Sequence, residues 1–375
     1  MRGHGPSRER PRLRNLLAYL CAAAIALGTI VYTAASGGPS EPQGAFVAVR
    51  GNELVDASGQ PFRLLGVDRS GTEFQCAYGR GIFYGPTTER TIQAMLSWHV
   101  DAVRLPLNED CWLGINGVAR ADSGVAYRRA ITRYVEALGR AGVVVILDLH
   151  WSAPGTELAR GQMQMADAEH SPAFWRSVAE TFRNDRGVVF DLYNEPYGIS
   201  WRCWRDGCVL PGGWRTAGMQ ELVDAVRSTG ARQPIMLGGI GYASDLSGWL
   251  RDEPHDPLHQ LVASFHVYNF SGCADKACWN RTVGRLARTV PVVTGELGQN
   301  GCGDQFIDRY MSWADAHGVS YLGWAWDPGT SCSSFPDLVT SWNGTPTPYG
   351  AGLKKHLAQL ASAGALLNTR RSSTT

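Results

Sequence analysis

The chain has 375 residues, 44% of them hydrophobic and 18% charged, with a formal net charge of +1. Length and apolar content suffice for one large core or two smaller ones. The near-zero charge, with much of its positive part in the N-terminal tail, argues against a nucleic-acid partner.

Residues 1–14 carry Arg2, Arg8, Arg10, Arg12 and Arg14 against one acid, Glu9. An apolar stretch, Leu16 to Tyr32, follows, and then the small residues Thr33-Ala34-Ala35. This has the form of a secretory signal, with cleavage expected near Ala35. At roughly 17 apolar residues it also approaches the length of a single membrane anchor. Both readings put the rest of the chain outside the cytoplasm. The expected organisation is a signal or anchor at 1–35, a Gly/Pro/Ser linker at 36–45, one main domain at 46–365 and a polar tail at 366–375.

The main domain opens on an expected hairpin: Phe46–Arg50, Glu53–Val55, a turn at 56–59, and Pro61–Val67. Strand-like and helix-like segments then alternate. Strands are expected at Arg63–Val67, Ala102–Leu107, Val143–His150, Val188–Glu195, Pro234–Ile240, Leu261–Tyr268, Val292–Glu296 and Val319–Trp326. Helices are expected at Thr87–His99, Val125–Arg140, Pro172–Asn184, Ala217–Ser228, Ser247–Arg251, Trp279–Arg288, Gln305–His317 and Gly350–Ala363. Eight strands, each followed by a helix, imply a parallel sheet closed into a (β/α)8 TIM barrel. A doubly wound open sheet is disfavoured, because no glycine-rich phosphate loop follows the first strand.

Nine cysteines are present. Cys21 lies in the apolar stretch, and the other eight form an even set, which in an exported chain reads as disulfides. The simplest pairing is Cys203 with Cys208, Cys273 with Cys278, Cys76 with Cys111, and Cys302 with Cys332. The CxxC spacing of a zinc site is absent. Sequons occur at Asn269, Asn280 and Asn343.

Polar residues close most of these strands, and in a parallel barrel the C-terminal strand ends converge on one mouth. Asn194-Glu195-Pro196 ends an apolar run, and Gly295-Glu296-Leu297-Gly298 ends another. Two strand-end glutamates match the carboxyl pair that glycoside hydrolysis needs, one protonated and one ionised. Arg104, in Val-Arg-Leu-Pro, needs an anionic partner if buried, and the nucleophilic carboxylate is the expected one. Asn194 reaches the mouth beside Glu195 only if the strand bulges or ends there. His150, followed by Trp151, and His266, on the same face as Tyr268 two residues on, are candidate site-lining groups. Tyr268 is expected to hydrogen-bond the nucleophile. Trp324 and Trp326 alternate as floor of a sugar site or core. The 13 tryptophans are many for this length; Trp201, Trp204, Trp214 and Trp279 fall in loops, where indole faces serve packing or sugar stacking. No His-x-His occurs on the first strand, so no metal site is expected.

Together these residues resemble glycoside hydrolase family five, the cellulase-like retaining barrel glycosidases, from about Phe46 to Ala363. The resemblance implies Glu195 as acid/base and Glu296 as nucleophile, with Arg104, His150, Asn194, His266 and Tyr268 shaping the site and Trp324 the better match for the family's last-strand tryptophan. It implies a secreted enzyme that cleaves a glucan-type β-glycoside without a cofactor, expected to act as a monomer. β-Mannanase, exo-β-glucanase and glycolipid glycosidase remain open on the same scaffold, and so does a sugar-binding barrel that has lost catalysis.

Overall fold

A computed structural model of the protein describes residues 45–329, 332 and 336–372. The expected signal or anchor, and the linker up to residue 44, lie outside the described residues. Eight parallel strands close into a barrel: β1 (Leu65–Asp68), β2 (Ala102–Asn108), β3 (Val144–Trp151), β4 (Val188–Asp191), β5 (Ile235–Gly238), β6 (Leu261–Tyr268), β7 (Val292–Gly298) and β8 (Ser320–Gly323). Strand β8 pairs with both β7 and β1, which completes the ring.

Alternation along each strand separates two apolar layers. Val103, Leu105, Val145, Leu147, Phe190, Ala263 and Phe265 point outward and pack under the helices. Ala102, Val144, Ile146, Val189, Met236, Val262, Val293 and Leu322 point inward and fill the barrel's lower half. Three short antiparallel strands, Ala48–Arg50, Glu53–Val55 and Pro61–Phe62, close the bottom, and their Leu54 joins the inner cluster. Gly66 on β1 is required by packing, because a Cβ there would lie 1.8 Å from the Ala102 carbonyl oxygen.

Several elements differ from expectation. The stretch Ser247–Arg251 is a series of turns, so no helix separates β5 from β6. Its Trp249 is fully buried and anchors those turns by donating to the Leu237 carbonyl. The segment expected as one helix from Trp279 is two, Lys276–Arg281 and Val283–Leu286, which meet at Thr282, the C-cap of one and the N-cap of the other. Short helices at Glu109–Leu113 and Trp201–Asp206 were not foreseen; each starts at a side-chain cap, Asn108 and Ser200 respectively. Strands β4 and β8 stop early, at Asp191 and Gly323, and the polar tail expected from 366 instead continues the helix Pro348–Ser372. Among the described residues no helix is long and apolar enough to cross a membrane.

The four disulfides are Cys76–Cys111, Cys203–Cys208, Cys273–Cys278 and Cys302–Cys332, the pairing expected from spacing. All lie on the side of the barrel where the strands end. Cys76–Cys111 ties the loop after β1 to the helix after β2, across 35 residues of sequence. Its replacement by two serines is expected to cost about 2–4 kcal/mol, read as a lower urea midpoint, whereas loss of Cys203–Cys208, which spans 5 residues, costs less.

Candidate active site

Above the inner apolar layer the barrel turns polar. Asp68 of β1, Arg104 of β2, Asp148 and His150 of β3, Asp191 of β4 and His266 of β6 all point inward, and all are buried. Glu296 joins them through a bulge. On β7, Thr294 pairs with Phe265 and Glu296 with His266, which leaves Gly295 as the extra residue. With Val293 inward and Thr294 outward, strict alternation would turn Glu296 toward the helices; the added residue turns it back into the barrel. Gly295 suits the place, since a Cβ would meet the His266 ring nitrogen Nε2 at 2.9 Å.

Asn194 and Glu195 reach the mouth differently. The ladder ends at Asp191, after which the Leu192 amide donates to the Met236 carbonyl and the Asn194 amide to the Leu149 carbonyl. Beyond the strand end, alternation no longer sorts side chains to opposite faces. Of the two routes open to Asn194, the structure shows the strand end.

Arg104 is the hub. Its Nε donates to Asp191 at 3.0 Å, and its Nη1 to Asp68 at 3.1 Å and to Glu296 at 3.0 Å. Its Nη2 bonds the Asn194 Oδ1 at 2.8 Å and lies 3.0 Å from Asp148. Burial opposes the guanidinium's charge, but Asp148, Asp191, Asp68 and Glu296 together outweigh it and hold its pKa well above the ordinary value. The carboxyls respond in turn. Burial pushes Asp148 and Asp191 up to about 7 against the pull of Arg104, and Asp68 well above the carboxylate range. The arginine and one of its carboxylates, Glu296, stand out in the sequence; the three aspartates do not.

The two glutamates face each other through His266. The Nδ1 of His266 lies 3.0 Å from Glu195 and 3.6 Å from Glu296. One oxygen of each glutamate and a ring nitrogen of His266 all fall within 4.8 Å of one another. Tyr268 donates its hydroxyl to Glu296 at 2.6 Å, as expected of it. Burial raises Glu195 to about 7, opposed by His150 and Arg104. Burial lowers His150 to about 4 and His266 to about 3, so both imidazoles are neutral at pH 7. The same three groups have the donor types of a small metal site, two carboxylates and an imidazole. Hydrogen bonds orient them: Tyr268 and Arg104 donate to Glu296, and the His266 Nδ1 bonds Glu195 at 3.0 Å.

These groups line a cleft of about 630 Å³. His150, Trp151, Asn194, Glu195, Tyr268, Glu296 and Trp324 all border it. His150 bonds Asp148 through Nδ1 at 2.6 Å and stacks on Trp324, with ring centroids 5.5 Å apart and planes within 15°. Arg104 and His266 lie beneath and act on the cleft through the glutamates. Trp326 is not a site residue: it is fully buried and packs edge-on against Trp98 at 4.8 Å. Trp204, Trp249 and Trp279 are core as well. Gln162, on the long loop after β3, was missed by sequence; it accepts from Asn194 at 2.9 Å and donates to the Glu195 carbonyl at 3.0 Å.

Residues 55–330 match the family model described as cellulase, glycosyl hydrolase family 5. The chain belongs to glycosyl hydrolase family 5. This family 5 glycosidase is 23% identical over 305 residues to a mannan endo-1,4-β-mannosidase of Salipaludibacillus agaradhaerens, a match covering 79% of the chain and 86% of the relative. It is 22% identical to endoglucanase MaCel5A of a Microbulbifer species, covering 76% of the chain and 54% of that protein, so it spans about half the endoglucanase's length. Among solved structures, the β-glucanase SdGluc5_26A of Saccharophagus degradans in complex with cellotetraose superposes with a TM-score of 0.66, at 22% identity and over 84% of this chain and 94% of that one. That likeness supports the barrel fold of the hydrolase.

Proposed function

We propose that the protein is an exported retaining β-glycosidase that cleaves a β-1,4-linked glucan, with Glu296 as nucleophile and Glu195 as acid and then base. The observation that carries this reading is the spacing of the two glutamates. One oxygen of each lies within 4.8 Å of the other, which suits direct attack at about 5–5.5 Å between carboxyls and is shorter than the about 6.5–9.5 Å of an inverting pair. Arg104 and Tyr268 hold Glu296 by two hydrogen bonds and fix its direction. Glu195, raised to about 7, is protonated at mildly acid pH and able to give its proton to the departing oxygen. Both glutamates come from one chain, so a monomer suffices. Four disulfides and the basic-then-apolar N-terminus support export, by cleaved signal or by anchor.

A β-1,4-mannan is the second reading, favoured by the mannosidase relative, of which the chain covers 86%. Hydrolysis of β-1,4-glucan and β-1,4-mannan oligosaccharides side by side separates the two. Following the first product by proton NMR is expected to show the β-anomer before mutarotation; first appearance of the α-anomer overturns retention.

A further inference from the structure

Gln162 borders the cleft, yet its amide has little left to offer a substrate. Its Nε2 donates to the Glu195 carbonyl at 3.0 Å and to the Met163 carbonyl at 3.2 Å, and its Oε1 accepts from the Asn194 Nδ2 at 2.9 Å. Both of its N–H groups and one lone pair are therefore engaged. The Glu195 carbonyl lies past the end of the β4 ladder, which stops at Asp191, and Gln162 gives it the donor that a strand would have supplied.

These bonds form a chain with one possible polarity. Arg104 has donors only, so it must meet the oxygen of the Asn194 amide, and it does so at 2.8 Å. That turns the Asn194 nitrogen toward Gln162, which answers with its own oxygen. The Gln162 nitrogen then faces two backbone carbonyls, which only accept. Each amide is oriented by the chemistry of its neighbours, from the buried guanidinium outward to the rim.

Asn194 is the group this chain serves. The amide torsion of an asparagine is broad and roughly two-fold, and Arg104 alone holds only its oxygen. Gln162 supplies the second point that fixes the plane of the amide. Among the described residues the Asn194 Nδ2 makes that one bond, so its second N–H is left for the cleft, which Asn194 borders. The place is beside the nucleophile, because Asn194 and Glu296 bond the two terminal nitrogens of one guanidinium, Nη2 and Nη1. A group next to the nucleophile reaches the hydroxyl on the carbon next to the one attacked. Hydrogen bonds to that 2-hydroxyl strengthen in the transition state.

We infer that Gln162 is a positioning residue: it fixes the Asn194 amide so that the remaining N–H points at the 2-hydroxyl of the sugar that Glu296 attacks. The inference rests on the proposed role of Glu296. Gln162 touches no reacting atom and acts through Asn194. The loop itself does not depend on this side chain, since the Met163 carbonyl accepts from the Tyr193 hydroxyl at 2.9 Å and the Gln164 carbonyl from the Tyr197 amide at 3.0 Å.

The test is a double-mutant cycle of Gln162→Met and Asn194→Ala. Its substrate is the 2,4-dinitrophenyl β-glycoside of a β-1,4-linked disaccharide of glucose or mannose, whichever the wild type cleaves. That leaving group departs without a proton, so kcat/KM does not depend on Glu195 as acid. Gln162→Met is expected to lower kcat/KM about tenfold, the worth of one hydrogen bond, and Asn194→Ala at least about 100-fold. The double variant is expected within about threefold of Asn194→Ala, because Gln162 has nothing left to position. Gln162→Ala goes through the same cycle, so that one misfolded variant does not decide the outcome. Losses that multiply in the double variant, no loss in either Gln162 variant, or no loss in Asn194→Ala would each overturn the inference and leave the glutamate roles standing. A wild-type protein that cleaves neither aryl glycoside overturns the glycosidase roles first, and that of Gln162 with them.

Discussion

Glu296→Gln is expected to lower kcat by at least about 10⁴-fold, the equivalent of roughly 5.5 kcal/mol of activation free energy, without unfolding the protein. The amide keeps the shape of the side chain and still accepts the Tyr268 hydroxyl, but it has no charge with which to attack. Glu195→Ala behaves differently on the proposed roles. It loses about 10²–10⁴-fold on substrates with sugar leaving groups and little on the first step with dinitrophenolate, which departs without a proton. Sodium azide then restores turnover of the aryl substrate in Glu195→Ala and yields a β-glycosyl azide, because azide meets the glycosyl-enzyme from the face that Glu195 formerly served. In Glu296→Ala the azide replaces the nucleophile itself, and the product is the α-azide. The reverse assignment of products would exchange the two roles. The pH profile carries the same information. The acid must be protonated, and burial sets Glu195 at about 7. Wild-type kcat/KM on sugar substrates therefore falls as pH rises through about 7, and that limb is absent from Glu195→Gln.

The apolar strands were legible because burial on both faces leaves continuous Val, Ile, Leu and Phe runs, and the strand-end glutamates because they interrupt such runs. What the sequence hid is mostly a matter of alternation. His266 and Tyr268 were placed on one face because they are two apart; the same step from His150 leads to Asp148, and inward Val189 leads to Asp191, yet both aspartates sit inside apolar runs that read as uniform core. Only the three-dimensional convergence on Arg104 shows that an arginine in a barrel needs several carboxylates. The bulge at Gly295 was hidden for a related reason: a glycine before a glutamate carries no sign of whether it counts in the register. Trp324 and Trp326 have like neighbours and the same parity, but both lie past Gly323, where the regular strand and its alternation end.

Arg104→Met is expected to destabilise the fold by about 3–5 kcal/mol near neutral pH, the largest stability loss of any single substitution at the mouth, with a steeper pH dependence than wild type. The cage holds four carboxyls around one guanidinium. Burial already raises Asp148 and Asp191 to about 7, and Arg104 is the group that restrains them. Without it their folded pKa values rise further. A carboxyl whose pKa is raised on folding binds more protons in the native state, so stability declines as pH climbs from its unfolded value near ~4 to its folded value. In wild type that window closes near 7 for these two groups; in Arg104→Met it extends higher. The penalty is therefore larger at pH 8 than at pH 5, where the aspartates are protonated in the folded variant and ask less of the missing cation. Urea unfolding of both proteins at the two pH values measures the difference, and an equal penalty at both would mean that the arginine stabilises by shape and hydrogen bonding rather than by charge. Adding Asp191→Asn to Arg104→Met separates these further. If charge dominates, the amide removes one of the stranded carboxyls and recovers part of the loss at pH 8; if geometry dominates, the second substitution breaks another buried partner and the losses add.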